Sequence, residues 1–262
     1  MGRENDYFCR MGKKFTEEEQ LFHKIERKIR KAMVDYRLID DNDKILVGLS
    51  GGKDSLALIE LLGRRKKILK PKFDVIAVHV SMTNIGYVSD LGYLRTHCEQ
   101  NGIQFVHHET SFDMSTDKRK SPCFLCSWTR RKSMFAIAKE LGCNKIALGH
   151  HQDDILQTLL MNMTFQGAFG TMPPKLKMDK FEMTIIRPLC LVAEKELIEL
   201  EQMRGYVRQK QPCPYECSSS RPEMKQVIKM LEGMNEKARF NLWSSMTNIQ
   251  ADYLPREEKD NF

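Results

Sequence analysis

The sequence predicts an α/β fold, a parallel sheet with helices on both faces. Two observations carry this: short buried-strand runs alternate with helical segments through most of the chain, and a glycine-rich turn joins the first strand to the next helix. Glu17 to Arg37 has helical apolar spacing (Leu21, Phe22, Ile25, Ile29, Met33) with basic residues on its other face, and a turn at 40–43 follows it. The apolar run 44–49 is the first strand. Ser55–Leu62 then reads as helix, Phe73–Val80 as buried strand, Val88–Gln100 as helix and Ile103–His107 as strand. Ser127–Leu141 is helical, Lys145–Gly149 a short strand, Asp153–Met163 a helix and Phe181–Ile186 a further strand. Between the last two, Gly167 to Asp179 interrupts the alternation as a loop placed to close over a site. Beyond Gly205 the pattern turns polar and helical, with an amphipathic stretch at Glu223–Met234. The organisation expected is an N-terminal helical segment (1–43), a Rossmann-like α/β domain (44–205) and a C-terminal helical extension (206–262) rather than a second domain.

At 262 residues and 41% hydrophobic content the chain is long enough to bury a substantial core. No apolar run is long enough to span a membrane, and residues 1–14 mix charges without a signal-like apolar stretch, so a cytoplasmic protein with no membrane partner is expected. Lys and Arg number 42 against 35 Asp and Glu, a net charge of +7, compatible with a nucleic-acid partner. Eight cysteines in such a compartment are read as metal or catalytic candidates where they cluster.

Ser50-Gly51-Gly52-Lys53-Asp54-Ser55, directly after the first strand, has the chemistry of a pyrophosphate cradle. Two glycines without Cβ let successive N–H groups converge on phosphate oxygens, and the positive end of the following helix adds attraction. Lys53 supplies a point charge, and Ser50 and Ser55 offer hydroxyls. The spacing is not that of the Walker loop. Its bland reading is a strand-to-helix turn without catalytic meaning. Ligands in such sheets bind at the carboxyl ends of the strands, where the other motifs also fall.

Pro122-Cys123-Phe124-Leu125-Cys126 is a C-x-x-C at a helix start, with Arg130 and Arg131 one turn on. Both sulfurs can reach one metal. A redox pair, a zinc half-site and two incidental thiols remain open for this spacing alone. Cys213 and Cys217 could bring the thiolates at one centre to three or four, suiting zinc or an Fe–S cluster. Cys9, Cys98, Cys143 and Cys190 occur singly and read as small packed hydrophobes. Gly149-His150-His151-Gln152-Asp153-Asp154 places polar groups between a strand end and a helix start. Of Asp153 and Asp154, one is expected to act, as a ligand for the Mg²⁺ bridging ATP phosphates or by orienting an attacking group, and one to cap the helix. The histidine pair here is read as either functional or structural, and His107-His108 as structural.

With the glycine-serine loop, Cys123-x-x-Cys126-Ser-x-x-Arg130-Arg131 and Gly149-His-His-Gln-Asp-Asp-Ile-Leu-Gln-Thr158 in this order, the chain resembles the tRNA 2-thiocytidine synthetase (TtcA-type) family of PP-loop ATP pyrophosphatases. Met172-Pro-Pro-Lys-Leu176, Arg187-Pro-Leu189 and the Pro-Cys at Pro212 extend the likeness. The resemblance implies that ATP adenylates the C2 oxygen of cytidine 32 in a tRNA anticodon loop, that pyrophosphate departs into the PP-loop, and that sulfur then displaces AMP. It implies ATP bound by Ser50, Gly51, Gly52, Lys53, Asp54, Ser55, Gly149 and His150, catalytic roles for Lys53, Asp54, Asp153 and Asp154, and Mg²⁺. It also implies a 4Fe-4S cluster held by Cys123, Cys126 and Cys213, whose open iron carries the incoming sulfide, a sulfur donor such as a cysteine desulfurase, and a homodimer. The chain departs from the family's second C-x-x-C, having Cys213-Pro-Tyr-Glu-Cys217, and has Lys132 where glycine is common. The alternatives are a PP-loop sulfurtransferase or ligase acting on another tRNA base (2-thiouridine) or on a small molecule, and a zinc-stabilised tRNA-binding protein without catalysis.

Overall fold

The computed structural model describes residues 15–85, 88–113, 121–178, 181–209 and 220–255. In chain order the elements are α1 (Glu17–Asp35), β1 (Asp43–Gly48), α2 (Lys53–Lys66), β2 (Phe73–Met82), α3 (Leu91–Gln100), β3 (Gln104–Thr110), α4 (Pro122–Glu140), β4 (Lys145–Ala147), α5 (Gln152–Gln166), β5 (Lys175–Met178), β6 (Met183–Ile186), α6 (Glu194–Arg204), α7 (Arg221–Met234) and α8 (Ala238–Ser245). The backbone divides into two compact units, 1–152 with 173–217 and 153–172 with 218–262.

The first unit holds a six-stranded sheet of order β3-β2-β1-β4-β6-β5. All neighbours are parallel except β5, which runs antiparallel to β6. β1 at the centre pairs Leu46 with Ile76 of β2 and with Ile146 of β4. On one sheet face Leu46, Ile76, Val78 and Ile146 pack with Ile137 and Ala138 of α4. The alternate residues Ile45, Val47, Val75 and Ala77 are equally buried and point to the other face, where α2 lies. Burial on both faces is why these strands read as continuous apolar runs instead of alternating ones.

α1 begins at a capping box: Glu19 N–H donates to Thr16 Oγ1 at 3.2 Å, and Thr16 N–H donates to Glu19 Oε2 at 2.9 Å. Its apolar stripe is buried at the expected positions. Lys24 and Lys28 on its flank bind buried Glu196 of α6 at 3.1 and 2.6 Å. Burial pushes the Glu196 carboxyl up, but the Lys28 ammonium, the Ala193 N–H and Lys24 outweigh it and hold the group below the usual carboxylate range.

Two expectations need correction. The segment expected to be a loop through Asp179 contains β5, whose Lys175, Leu176 and Lys177 are exposed. An edge strand with solvated side chains carries no hydrophobic period, and lysine is a common edge residue. The last strand starts at Met183, not Phe181, and the Phe181 ring is instead exposed beside Phe135 of α4, ring centroids 4.8 Å apart. The second unit contains α5 from Asp153 on, α7 and α8; Met224 and Ile228 are the buried residues of the amphipathic α7. Among the described residues no helix is long and apolar enough to cross a membrane.

Candidate active site

β1 delivers the chain to Ser50 at the carboxyl edge of the sheet, with Leu49 N–H donating to Val78 O at 2.9 Å. Gly51 adopts φ +83°, a left-handed conformation strained for any residue with a Cβ, and Gly52 caps α2 without a side-chain hydrogen bond. The serines hold this shape: Ser55 Oγ accepts from Gly51 N–H (3.1 Å) and donates to Gly52 O (2.9 Å), and Ser50 Oγ accepts from Gly52 N–H (3.3 Å). Both hydroxyls expected to face phosphate therefore also build the loop. The α2 N-terminus, free of a capping side chain, presents its dipole to whatever lies above it.

Lys53, only 8% exposed, places Nζ 3.1 Å from Asp54 Oδ1 and 3.5 Å from Glu194 Oε1. Gly149 lies so close to the start of α2 that a Cβ there would sit 3.2 Å from Asp54 C and Ser55 N. The neighbouring His151 is buried, with Nε2 3.9 Å from Asp54 Oδ1. The strand-end motif thus touches the PP-loop through Gly149 and His151; His150, between them, is partly buried.

A strap crosses this loop. After α6 ends at left-handed Gly205, the Tyr206 hydroxyl donates to Glu60 and its ring meets His97 edge-on at 5.5 Å. Val207 N–H donates to the Tyr93 hydroxyl at 3.0 Å, and Arg208 binds Glu201 with two nitrogens. Gln209 N–H then donates to Gly51 O at 2.9 Å, while its side-chain Oε1 accepts from Asp90 N–H at 2.6 Å.

α4 starts with Ser121 Oγ accepting from Phe124 N–H at 3.2 Å and Pro122 in the first turn, where its missing N–H costs nothing. Cys123 and Cys126 are partly buried and one turn apart, so they share a helix side. Cys126 packs on the apolar cluster of Met82, Ile85, Phe112 and Leu125 at the end of β2. Cys213 and Cys217 lie outside the described residues, as does Cys9; among the described residues no three potential ligands converge as a metal site. Two thiols at C-x-x-C spacing on one helical turn fit two corners of a thiolate-bound cluster. Cys98, Cys143 and Cys190 are buried as expected, and burial pushes the Cys98 and Cys190 thiols up to about 12, unsuited to thiolate chemistry.

In the second unit, Asp153 Oδ1 accepts from Arg239 Nη1 at 2.8 Å, and Arg239 also binds Glu232 at 2.8 Å. Asp154 Oδ1 accepts from Arg221 Nη1 at 2.8 Å. Both carboxylates of the motif are therefore in arginine ion pairs.

The PP-loop domain family matches residues 21–231. The tRNA-cytidine(32) 2-sulfurtransferase of Paracidovorax citrulli is 38% identical, covering 90% of this chain and 78% of its own, and that of Paraburkholderia xenovorans is 36% identical over 92% and 73%. The chain belongs to this PP-loop family. Its fold is similar to that of the U34-tRNA thiolase NcsA from Methanococcus maripaludis, solved with its 4Fe-4S cluster, at TM-score 0.71 and 28% identity over 92% of this chain and 82% of that one.

In this PP-loop protein the site contains more than the motifs announced. Glu194 opens α6 far along the chain from Lys53, and its Val-Ala-Glu context carries no signature of its own. Gln209 is equally silent, since a polar residue beyond a helix end reads as solvated until its partner is placed; the same holds, within the second unit, for Arg221 and Arg239. Arg187 of the Arg-Pro-Leu match is buried and donates Nη1 to Pro173 O at 2.6 Å, and its backbone N–H donates to Pro174 O at 2.8 Å, joining two of the family motifs. Burial, with Arg131 nearby, pushes its pKa down.

Proposed function

We propose that this chain is an ATP-dependent tRNA-cytidine(32) 2-sulfurtransferase. The observation that carries the reading is the folded PP-loop, with Gly51 left-handed, an uncapped helix start and a buried Lys53, in a chain whose 36–38% identical relatives bear that name. Ser50 to Ser55, with Gly149 and His150, would bind ATP. The C2 oxygen of the base attacks the α-phosphorus and pyrophosphate leaves; Lys53 and the α2 N-terminus hold its charge as it develops. A sulfur nucleophile then adds at C2 and AMP departs with the former oxygen, a far better leaving group than oxide. Asp54, Asp153 and Asp154 are assigned to positioning the nucleotide with Mg²⁺.

Cys123, Cys126 and Cys213 would hold the 4Fe-4S cluster. When bound, it supplies a Lewis-acidic iron to the sulfur donor, for which a cysteine desulfurase is the expected source. The chain's contribution is the helical turn that sets two thiols on one side and the strap that pins Gln209 to Gly51, four residues before Cys213. A cytoplasmic homodimer of three segments (1–43, 44–205, 206–262) completes the proposal. A second reading, thiolation of uridine, is favoured by the likeness to the U34-tRNA thiolase.

Lys53→Ala tests the reaction. In cells relying on this copy, nucleoside digests of tRNA are expected to lose 2-thiocytidine, and unchanged thiolation refutes the assignment of Lys53. Loss of 2-thiouridine instead identifies the second reading. Protein prepared without oxygen is expected to contain iron; stoichiometric zinc without iron after reconstitution overturns the cluster chemistry.

A further inference from the structure

α4 carries more than its two cysteines. Beyond Cys126 its outer side presents Trp128, 51% exposed, and below it the exposed cations Arg131, Lys132 and Lys139. Phe181, 55% exposed, stands in the turn before β6. Together with Phe135 these residues line a groove of about 940 Å³ in the first unit. Lys132 Nζ sits 5.4 Å from the Trp128 ring centroid, and Phe135, one turn further along α4, forms the tilted pair with Phe181. Trp128 and Lys132 also border a second groove of about 380 Å³ beside His108, Thr110 and Phe112, so the indole stands as a ridge between two clefts.

Large aromatics left half in water gain little for the fold, while the cations around them cost nothing there. Interleaved aromatic rings and cations are the means by which proteins hold unstacked nucleotides: rings stack on bases and ammonium or guanidinium groups meet phosphates. The cations span Arg131 to Lys139, roughly 12 Å of helix at about 1.5 Å per residue. Among the described residues Glu182 is the one acidic residue lining the groove. A second copy docking here about a two-fold axis would set Arg131, Lys132 and Lys139 against their own likenesses, with Glu182 the one carboxylate among the described lining residues to offset them. The groove begins two residues after Cys126 and leads along α4 away from the carboxyl edge of the sheet, the course an RNA would take when one of its bases enters the site.

We propose that this groove binds the tRNA substrate, an unpaired nucleotide stacking on Trp128 while the flanking phosphates meet Arg131, Lys132 and Lys139. The inference rests on the tRNA reading above. Its test uses an unmodified tRNA transcript with cytidine at position 32, binding followed over a salt series by fluorescence anisotropy, with the parent protein, Trp128→Ala and Lys132→Ala/Lys139→Ala. Loss of a stacked base should weaken binding about 5- to 150-fold with the salt slope unchanged. Loss of two phosphate contacts should lower the slope of log K against log salt by roughly 1.4–1.8. ATP affinity, measured in parallel on each protein, reports that the PP-loop is intact. Parent-like tRNA affinity and slope in both variants overturn the groove, and a shift from dimer to monomer with tRNA binding retained assigns it to a second copy instead. A parent that binds no tRNA overturns the substrate reading as well, so the two failures are distinct.

Discussion

Replacing Gly51 by alanine perturbs the PP-loop and the strap together, and the structure separates the two costs. An alanine at φ +83° bears left-handed strain of about 1–2 kcal/mol. Its Cβ would also lie 2.6 Å from both Cβ and Cγ of Gln209, roughly 1 Å inside the usual 3.5–4.0 Å carbon contact. These atoms lie at the root of the side chain, so the strap itself must retreat. Retreat breaks the Gln209 N–H to Gly51 O and Asp90 N–H to Gln209 Oε1 hydrogen bonds, about 0.5–1.5 kcal/mol each. Gly51→Ala should therefore cost about 2–5 kcal/mol. Gln209→Gly alone loses the Asp90 bond and adds backbone freedom, about 1–2 kcal/mol in all. In the double variant the clash is gone and the backbone bond from residue 209 survives, leaving strain plus the Gln209 cost at about 2–4 kcal/mol. The coupling is then about 1–3 kcal/mol in favour of the double variant. Urea unfolding of the four proteins measures it directly. Additivity within about 0.5 kcal/mol, the scatter of independent sites, would refute the claim that the strap rests on Gly51.

Two further outcomes follow from the same geometry. Gly149→Ala sets a methyl 3.2 Å from the Asp54–Ser55 backbone, which cannot rotate away; overpacking of about 1–3 kcal/mol should displace the loop and weaken ATP binding by calorimetry, and parent-like affinity would show the approach has slack. His79, buried with its Nδ1 2.7 Å from Leu49 O, has its pKa pushed down by burial first and by His107 and Arg130 next, against the raising effect of the Leu49 carbonyl. Its unfolded form takes up a proton as pH falls below about 6.5 while the native form stays neutral, so its stabilisation is present above that pH and is lost on descent toward the folded pKa, at most about 1.4 kcal/mol per pH unit. Urea midpoints of the parent should drop between pH 7 and 5.5 more steeply than those of His79→Asn; equal slopes would remove His79 from the acid limb.

What was legible in the sequence is what repeats locally or needs a special backbone. The α1 stripe, the buried strands and the loop at 50–55 each carry their own signal, a period or a pair of glycines, and each is found at the expected place. β5 has no period because its side chains meet water on an edge. The first turn of α4 is set by Ser121 and Pro122, and a stripe count beginning at Ser127 passes over a start fixed by capping. Glu194 and Gln209 are hidden for a different reason: their meaning is a distance to Lys53 or Gly51, and only the folded crossing of α6 over α2 creates it. Asp153 and Asp154 look locally like one actor and one cap, yet each meets an arginine from a C-terminal helix, a pairing that no local spacing encodes.

The long-range residues also settle the electrostatics of the cradle. Lys53 alone, beside Asp54 and Glu194, would leave the pocket with one excess negative charge, a poor host for a polyphosphate. The strap adds a further ion pair. Arg208 has its pKa raised by its hydrogen bond to Glu201 first, and to a lesser degree by the fields of Asp54 and Glu194. Arg208 is itself matched by Glu201, so it adds no net positive charge, and the excess negative charge beside Lys53 is left for a cation arriving with the nucleotide to offset. In the proposed reaction Mg²⁺ on the phosphates would take the place Lys53 vacates beside Asp54, a hard cation between oxygen donors. In the proposed reading the pyrophosphate site takes its shape from the glycine loop and its direction from the α2 N-terminus, while the strap holds Gly51 through Gln209. The same strap leads on to Cys213, so the segment that holds Gly51 is also the one that carries the third proposed cluster ligand.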